Sequence, residues 1–575
     1  MKKIYFLIAM GLAVATLTGC DDFLNDNRYP ESMLISNPAF WSNPNNVQGQ
    51  INSFYEEFSG YGNGSALGVF YAQTLSDDQA NPVGSNSVTP WKNISIPSSS
   101  SNWESPYEEI RRANLIIEGV ASSSLTEAEK TNFTAIARLM RGYEYYLLVR
   151  TYGDVPLVTK ALDPSDEAEL FGPRTDRNAV IDYALEDLNY AVNNIGTKSS
   201  KITFSADLAA AMKSEICLYE GSYAKYHLNN TERANKYFNE VVNAAGPLVD
   251  KYPIGDNYKA LYNSFRGALS ANSEIIFMKA YEKDILMHCT VDYTSSSTPV
   301  AGMTKDAFDA FLFKTDGKPL QLTSETNKSD AGKTWERLAS DGKTKIYTYS
   351  IKDALDVRDG RLAQMVDTAV YYNGLQYQRP NSMLMTSLTG YGVSKFNNPE
   401  MTEEFTTTIK NYTCAPLYWG ALIACDYMEA KAELGSLTDA DLNKTMNKMF
   451  ERAGLPDATV ASLSAMADPA NNMGISNLLW EVRRCRRCEL MFDKGIRYWD
   501  LIRWHQLELL DTNKYPNITL GANISASPVS YANVDGYIDA SNGTSRAFEA
   551  RQYLYPIPTG QLQLNDKLEQ QPLWK

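Results

Sequence analysis

The sequence predicts a mostly α-helical protein: a TPR-like scaffold of helix–turn–helix units with loop-rich insertions and short β-hairpins. Three observations point there. Apolar residues in the first half recur at helical spacing over segments long enough to hold a helix. Caps and breakers set these segments apart at short intervals, so successive helices pack as antiparallel neighbours. From about residue 250 to about residue 415 the pattern gives way to Gly, Ser, Asn and Thr clusters with short β-branched or aromatic runs.

The elements follow in order. Thr126-Glu127-Ala128-Glu129 fits the S/T-x-x-E capping box and starts a helix. Phe133, Ile136, Met140, Tyr143 and Leu147 form its buried stripe, and Gly153 and Pro156 end it. A second helix spans Asn178 to Ile195, with Val180, Ala184, Leu188 and Val192 on one face and Gly196 at C′. A third covers Ser205 to His227. A fourth has Thr231 as N-cap and runs through Tyr237, Phe238, Val241 and Val242 to Ala245. In the loop-rich region Thr294 to Thr298 and Asn373-Gly374 mark turns, and Ile346-Tyr347-Thr348-Tyr349 reads as a strand. Helices return at Tyr418 to Leu434, Asp441 to Ala453 and Asn477 to Leu510. Prolines keep Tyr553 to Pro558 extended.

The N-terminus addresses the chain. Lys2 and Lys3 precede an uncharged apolar run, Ile4 to Leu17, which is too short to span a bilayer comfortably and right for a signal-peptide core. It ends Leu17-Thr18-Gly19-Cys20, which resembles the bacterial lipobox. That resemblance implies cleavage before Cys20 and acylation of its sulfur and amine, an anchor in outer-membrane lipid. Each buried methylene adds about 0.8 kcal/mol, so more than one chain holds firmly. An uncleaved N-terminal helix is the alternative. Asp21, Asp22 and Asp26 resemble the acidic export signal that sends Bacteroidetes lipoproteins to the cell surface. The expected division is 1–19 signal peptide, 20–36 lipidated tether, 37–250 N-terminal helical region and 251–575 C-terminal region with the insertions.

Composition narrows the function. A net charge of -14 argues against nucleic-acid binding, which needs a basic face. The 36 Tyr, 20 Phe and 9 Trp are rich in rings that tolerate a partly wet face. His227, His288 and His505 are too scattered to suggest a metal centre. No cofactor and no metal are expected. Cys217, Cys289, Cys414, Cys425, Cys485 and Cys488 lack the spacing of a disulfide scaffold. Cys485 and Cys488 make a C-x-x-C, but inside a helical pattern rather than at a helix start after a strand. Free structural thiols, a local disulfide, or a redox or metal site are the readings, in that order.

Five stretches in chain order carry a resemblance. They are FWSNPNNVQGQINSFYEEF from Phe40, WESPYEEIRRANLIIE from Trp103, ARLMRGYEYYLLVRTYGDVPL from Ala137, CELMFDKGIRYWDLIRW from Cys488, and YLYPIP with the terminal QQPLW. Together they resemble the SusD/RagB family of outer-membrane lipoproteins. Asp493-Lys494-Gly495 is one residue longer than the family's usual E-G, and Cys485 stands where Glu is common. The resemblance implies a SusD-like helical fold. It implies a non-catalytic protein that binds oligosaccharide or polysaccharide at the cell surface and serves a SusC-like TonB-dependent transporter. A second branch of the family handles peptides; a surface glycoside hydrolase is the more distant alternative. Arg497, Asp500, Arg503 and Trp504 look like a catalytic group, but their spacing fits an ion network between helices, with Asp500 beside both arginines.

The chemistry of sugar binding selects candidates. Apolar C–H faces of sugars pack on rings, while hydroxyls take hydrogen bonds from carboxylates, amides and guanidinium. Binding residues tend to sit in loops. The stretch Leu75 to Ser101 offers Asp77, Asp78, Asn81, Trp91 and Asn93, and Trp91 stands outside any apolar period. Trp41, Tyr293, Tyr372, Tyr377, Arg379 and Tyr391 are the further candidates.

Overall fold

The computed structural model describes residues 38–70, 76–80, 95–196, 200–290, 302–338, 341–371, 377–378, 384–385, 387–401, 409–528, 530–541 and 543–575. Cys20 and the signal and tether segments lie outside them. No described helix is long and apolar enough to cross a membrane.

Six helices build the N-terminal layer: α1 (Pro44–Ser53), α2 (Ser101–Ala121), α3 (Glu127–Tyr152), α4 (Arg177–Asn194), α5 (Ala206–Tyr226) and α6 (Thr231–Lys251). They pack as neighbours in sequence, α2 on α3, α3 on α4 and α5 on α6. The capping box at the start of α3 is present in both directions, Thr126 to the Glu129 N–H and Glu129 back to the Thr126 N–H. Gly153 ends α3 at φ +72°, which a residue with a Cβ adopts only with strain. In the Arg141-Gly142 pair, Arg141 donates to both carboxylate oxygens of Asp187 on α4, at 2.7 and 2.9 Å. Two caps differ from expectation. Asn230, not Thr231, caps α6, its side chain accepting from the Arg233 N–H at 2.9 Å. The chain leaves α4 extended at Ile195, and the Gly196 N–H donates to Asn132. α6 also continues through Pro247 to Lys251, because the turn beyond it buries Leu248 and Val249.

The longer C-terminal helices are α7 (Gly420–Glu433), α8 (Met446–Ala453), α9 (Asn477–Glu489) and α10 (Ile496–Arg503). α7 packs on α5 and α6 and also on α9, which joins the two halves of the chain. Three predicted helices are shorter than their apolar patterns. Tyr418 and Trp419 belong to a strand. The helix predicted over Asp441 to Ala453 breaks at Thr445, between Asp439–Lys444 and α8. The long pattern from Asn477 breaks between α9 and α10, where Phe492, Lys494 and Gly495 all take positive φ. The break is held by Asp493, which accepts from the Lys395 Nζ and the Tyr262 hydroxyl, both at 2.7 Å.

The strands that frame the site include β1 (Gln79–Ala80), β2 (Ile275–Lys279), β3 (Gly302–Met303), β4 (Lys333–Leu338), β5 (Lys345–Ser350), β6 (Val366–Val370), β7 (Tyr391–Val393) and β8 (Ala415–Trp419). β4 to β7 form an antiparallel sheet in the order β7-β6-β5-β4. β8 pairs with β2, and β1 with β3, both antiparallel. One continuous apolar core runs from Trp41 to Leu568.

The six described cysteines form no disulfide and are buried. Cys485 and Cys488 lie inside α9, and burial pushes the Cys485 thiol up to about 12. That removes the local disulfide and leaves no reactive thiolate.

Candidate functional site

The Ser76–Ala80 segment carries Asp77 and Asp78 into the body, where two arginines from the distant C-terminal helices meet them. Arg497 on α10 grips Asp77 with two bonds, at 2.8 and 2.6 Å. Arg487 on α9 donates to Asp78 at 2.8 Å and to Asp306 at 2.9 Å, and its guanidinium lies 3.3 Å from Asp77. Thr304 adds its hydroxyl to the Asp77 carbonyl and its N–H to the Asp78 carbonyl, at 2.6 and 3.0 Å. Burial pushes both carboxyls up. At Asp77 the guanidiniums of Arg487 and Arg497 outweigh it and hold the group well below the carboxylate range, whereas Asp78 remains raised. Asp77 and Asp78 are 2% and 0% exposed, so both are clamp residues that offer a ligand no surface.

The clamp fixes three stems side by side. β1 pairs with β3 through Gln79↔Met303 and Ala80↔Gly302. A Cβ on Gly302 would lie 2.3 and 2.4 Å from the hydroxyls of Thr389 and Ser387, so only glycine lets this stem close on the next. The Tyr371 N–H donates to the Gly390 carbonyl at 2.9 Å. Ala80, Gly302, Tyr371 and Ser387 therefore cluster. Asn81, Trp91 and Asn93 follow the first stem, Tyr293 precedes the second, and Tyr372 and Arg379 follow the third; all six lie outside the described residues. Tyr377 lies in the short strand Tyr377–Gln378, antiparallel to Leu384–Met385, and its side chain lies outside them too.

Beside the clamp lies a hollow of about 320 Å³ lined by Asp77, Asp306, Trp480, Arg487, Arg497 and Tyr515, among others. Trp480 on α9 is half-buried, and its indole N–H donates to Asp468 at 3.1 Å. A fixed ring beside carboxylates, guanidinium and a phenol suits a polyhydroxylated ligand. Sequence reasoning missed Trp480 because it stands in an apolar helical run, and missed Arg487 because it stands inside the C-x-x-C.

Two candidates move to the core. Trp41 is 5% exposed and packs flat on Gly119 of α2, where a Cβ would lie 2.2 Å from the ring. Tyr391 is fully buried and stacks on Phe308, with centroids 4.8 Å apart and planes 5° from parallel. Neither offers a ligand a face. The Arg497 group also differs in detail from its spacing. Asp500 pairs with Arg486 and Arg503, both at 2.9 Å, while Arg497 turns to Asp77. Glu429 completes that network, accepting from Arg503 and from the Trp504 indole at 2.6 Å.

A sequence profile described as "SusD family" matches residues 273–574, more than half of the chain. The chain belongs to the SusD family. A second profile, described as "Starch-binding associating with outer membrane", matches residues 25–218. A SusD-like protein of Formosa agariphila, P38, is 30% identical over 235 residues, 39% of this chain and 44% of that protein. A SusD-like protein of Bacteroides ovatus is 27% identical over 192 residues, 32% of this chain and 34% of that one. The chain thus spans about half or less of the length of these relatives. Among solved structures, a SusD-like carbohydrate-binding protein from Bacteroides fragilis superposes with a TM-score of 0.66 at 20% identity, covering 92% of this chain and 100% of that one. A laminarin-binding SusD-like protein superposes at 0.54 and 21% identity, covering 92% and 99%. These likenesses confirm the SusD-like fold.

Proposed function

We propose that this protein captures oligosaccharide or polysaccharide outside the cell and hands it, uncleaved, to a SusC-like TonB-dependent transporter, held to the outer membrane through acylated Cys20. One observation carries the reading. An ion clamp holds three stems side by side, and the sequence adjoining those stems carries Trp91, Asn81, Asn93, Tyr293, Tyr372, Tyr377 and Arg379, rings and forks of the kind that hold sugar. The neighbouring hollow adds Trp480 and Tyr515. Its carboxylates are tied to cations, Asp77 to Arg497, Asp306 to Arg487 and Asp468 to Arg484, an arrangement for holding rather than for attack or proton transfer. A tether keeps the captured chain near the pore at high effective concentration.

Native electrophoresis of the form starting after Cys20, through gels containing a panel of polysaccharides, tests this. Retardation by at least one glycan, weakened in Trp91→Ala and without new reducing ends, is expected. New reducing ends would make the protein a hydrolase. Retardation by no glycan, with retention on a peptide mixture, would make it a peptide binder. Surface labelling that survives replacement of Cys20 by Ala would overturn the anchor.

A further inference from the structure

The four-stranded sheet carries a second flat ring far from the clamp. Trp335 lies on the edge strand β4, opposite Thr348 of β5, and is 62% exposed. Strand pairing fixes the backbone of this tryptophan, so a ligand that meets it orders only two side-chain torsions. The hairpin is anchored from its other face: Tyr349 is fully buried and its hydroxyl donates to the Asn523 carbonyl at 2.9 Å. Strand alternation puts Lys333, Trp335, Thr348 and Ser350 on the outer face. Trp335 borders a hollow of about 340 Å³ whose other walls include Lys333, Thr348, Asp353, Asp367 and Thr368. Lys333 and Asp353, both in its wall, are ion-paired, which places a donor and an acceptor beside the ring.

We infer that Trp335 and this polar rim form a second glycan subsite, for a later stretch of an extended, uncharged polysaccharide whose first stretch occupies the clamp region. The inference rests on the glycan-capture reading above. A single ring among hydroxyls and one ion pair matches a sugar, which has an apolar face and a polar edge. The edge strand is poorly suited to adding a partner's strand, because Lys333 and Glu336 charge it in the manner of guarded edges. Placement supplies the length requirement. β4 and β7 are three strand spacings apart, about 15 Å at ~4.8 Å each, and the approach to β7 touches Gly302 at the clamp. A short oligosaccharide fills one place; a polymer reaches both.

The test compares wild type with Trp335→Ala in gels and by calorimetry, using laminarin, amylopectin and xylan, each with its own oligomers from trisaccharide upward. On any polymer that retards wild type, the variant binds about tenfold more weakly, the loss expected of a buried aromatic anchor. The ratio of wild-type to variant affinity falls toward one as the oligomer shortens. An unchanged affinity on the polymer overturns the second subsite and leaves glycan capture standing. An equal loss at every length also overturns it, by placing Trp335 in the first site. Retention of a casein digest that is lost in Trp335→Ala overturns it in favour of strand addition. Retardation of wild type by none of the polymers overturns capture and the subsite together.

Discussion

Arg487→Met would remove the keystone of the stem clamp. Methionine keeps the helix propensity and most of the stem volume, so the change is chiefly one of charge. Three partners lose a cation. Asp306 has a side chain 36% exposed, and its share is below about 1 kcal/mol. Asp77 keeps both bonds from Arg497. Asp78 is the large term: it is fully buried and loses its 2.8 Å bond. Breaking a buried pair costs about 3–5 kcal/mol. Asp78 is already raised by burial and escapes part of this by taking a proton, so we expect a loss of about 3 kcal/mol at pH 7. The pH dependence has a definite sign. In the variant the folded Asp78 holds a proton that the unfolded carboxyl, near 3.9, releases. Native protein then binds more protons than unfolded, so its stability rises as pH falls. The gap to wild type should narrow between pH 7 and pH 5. Urea unfolding followed by tryptophan fluorescence at both values reads this directly. A loss under 1 kcal/mol, or a gap that widens at pH 5, would refute the clamp.

Other sites give independent checks. Lys395→Met strands the buried Asp493, which burial pushes up to about 6 even beside the ammonium, and should cost about 3–5 kcal/mol at pH 7; without the ammonium the carboxyl is raised further and takes its proton before the wild type's does, so the loss should shrink as pH falls toward 6, and a pH-independent loss would be the contrary result. Gly119→Ala drives a methyl into the Trp41 ring and should destabilise by about 1–3 kcal/mol in the same titration, with wild-type stability as the failing outcome. The six buried thiols should ignore a thiol-reactive disulfide reagent in the native form starting after Cys20 and react in urea; fast native labelling of Cys485 or Cys488 would contradict their raised, buried state.

Sequence was most informative where causes are local. The capping box at Thr126 closes within four residues, and α3 starts there. Ser205 and Gly153 likewise mark their own ends. It failed where causes are distant. The break between α9 and α10 depends on Lys395, 98 residues before Asp493. Trp41 reads as an exposed ring until Gly119 opens a seat for it. Asp77 and Asp78 look like loop acids because nothing near them in sequence announces Arg487 or Arg497. Trp335 drew no notice because exposure on a hairpin edge leaves no periodic trace.

The Asp77–Arg497 contact spans 420 positions. Closing so wide a loop is slow, since its entropy is lost before the contact is made. During synthesis the carboxylates emerge early and wait for α9 and α10, the last long helices to appear. A chain truncated before residue 487 would lack both cations that hold Asp77 and Asp78. Assembly of the clamp is thereby reserved for chains that reach α10, which ties the order of the earliest stem to the last long helices.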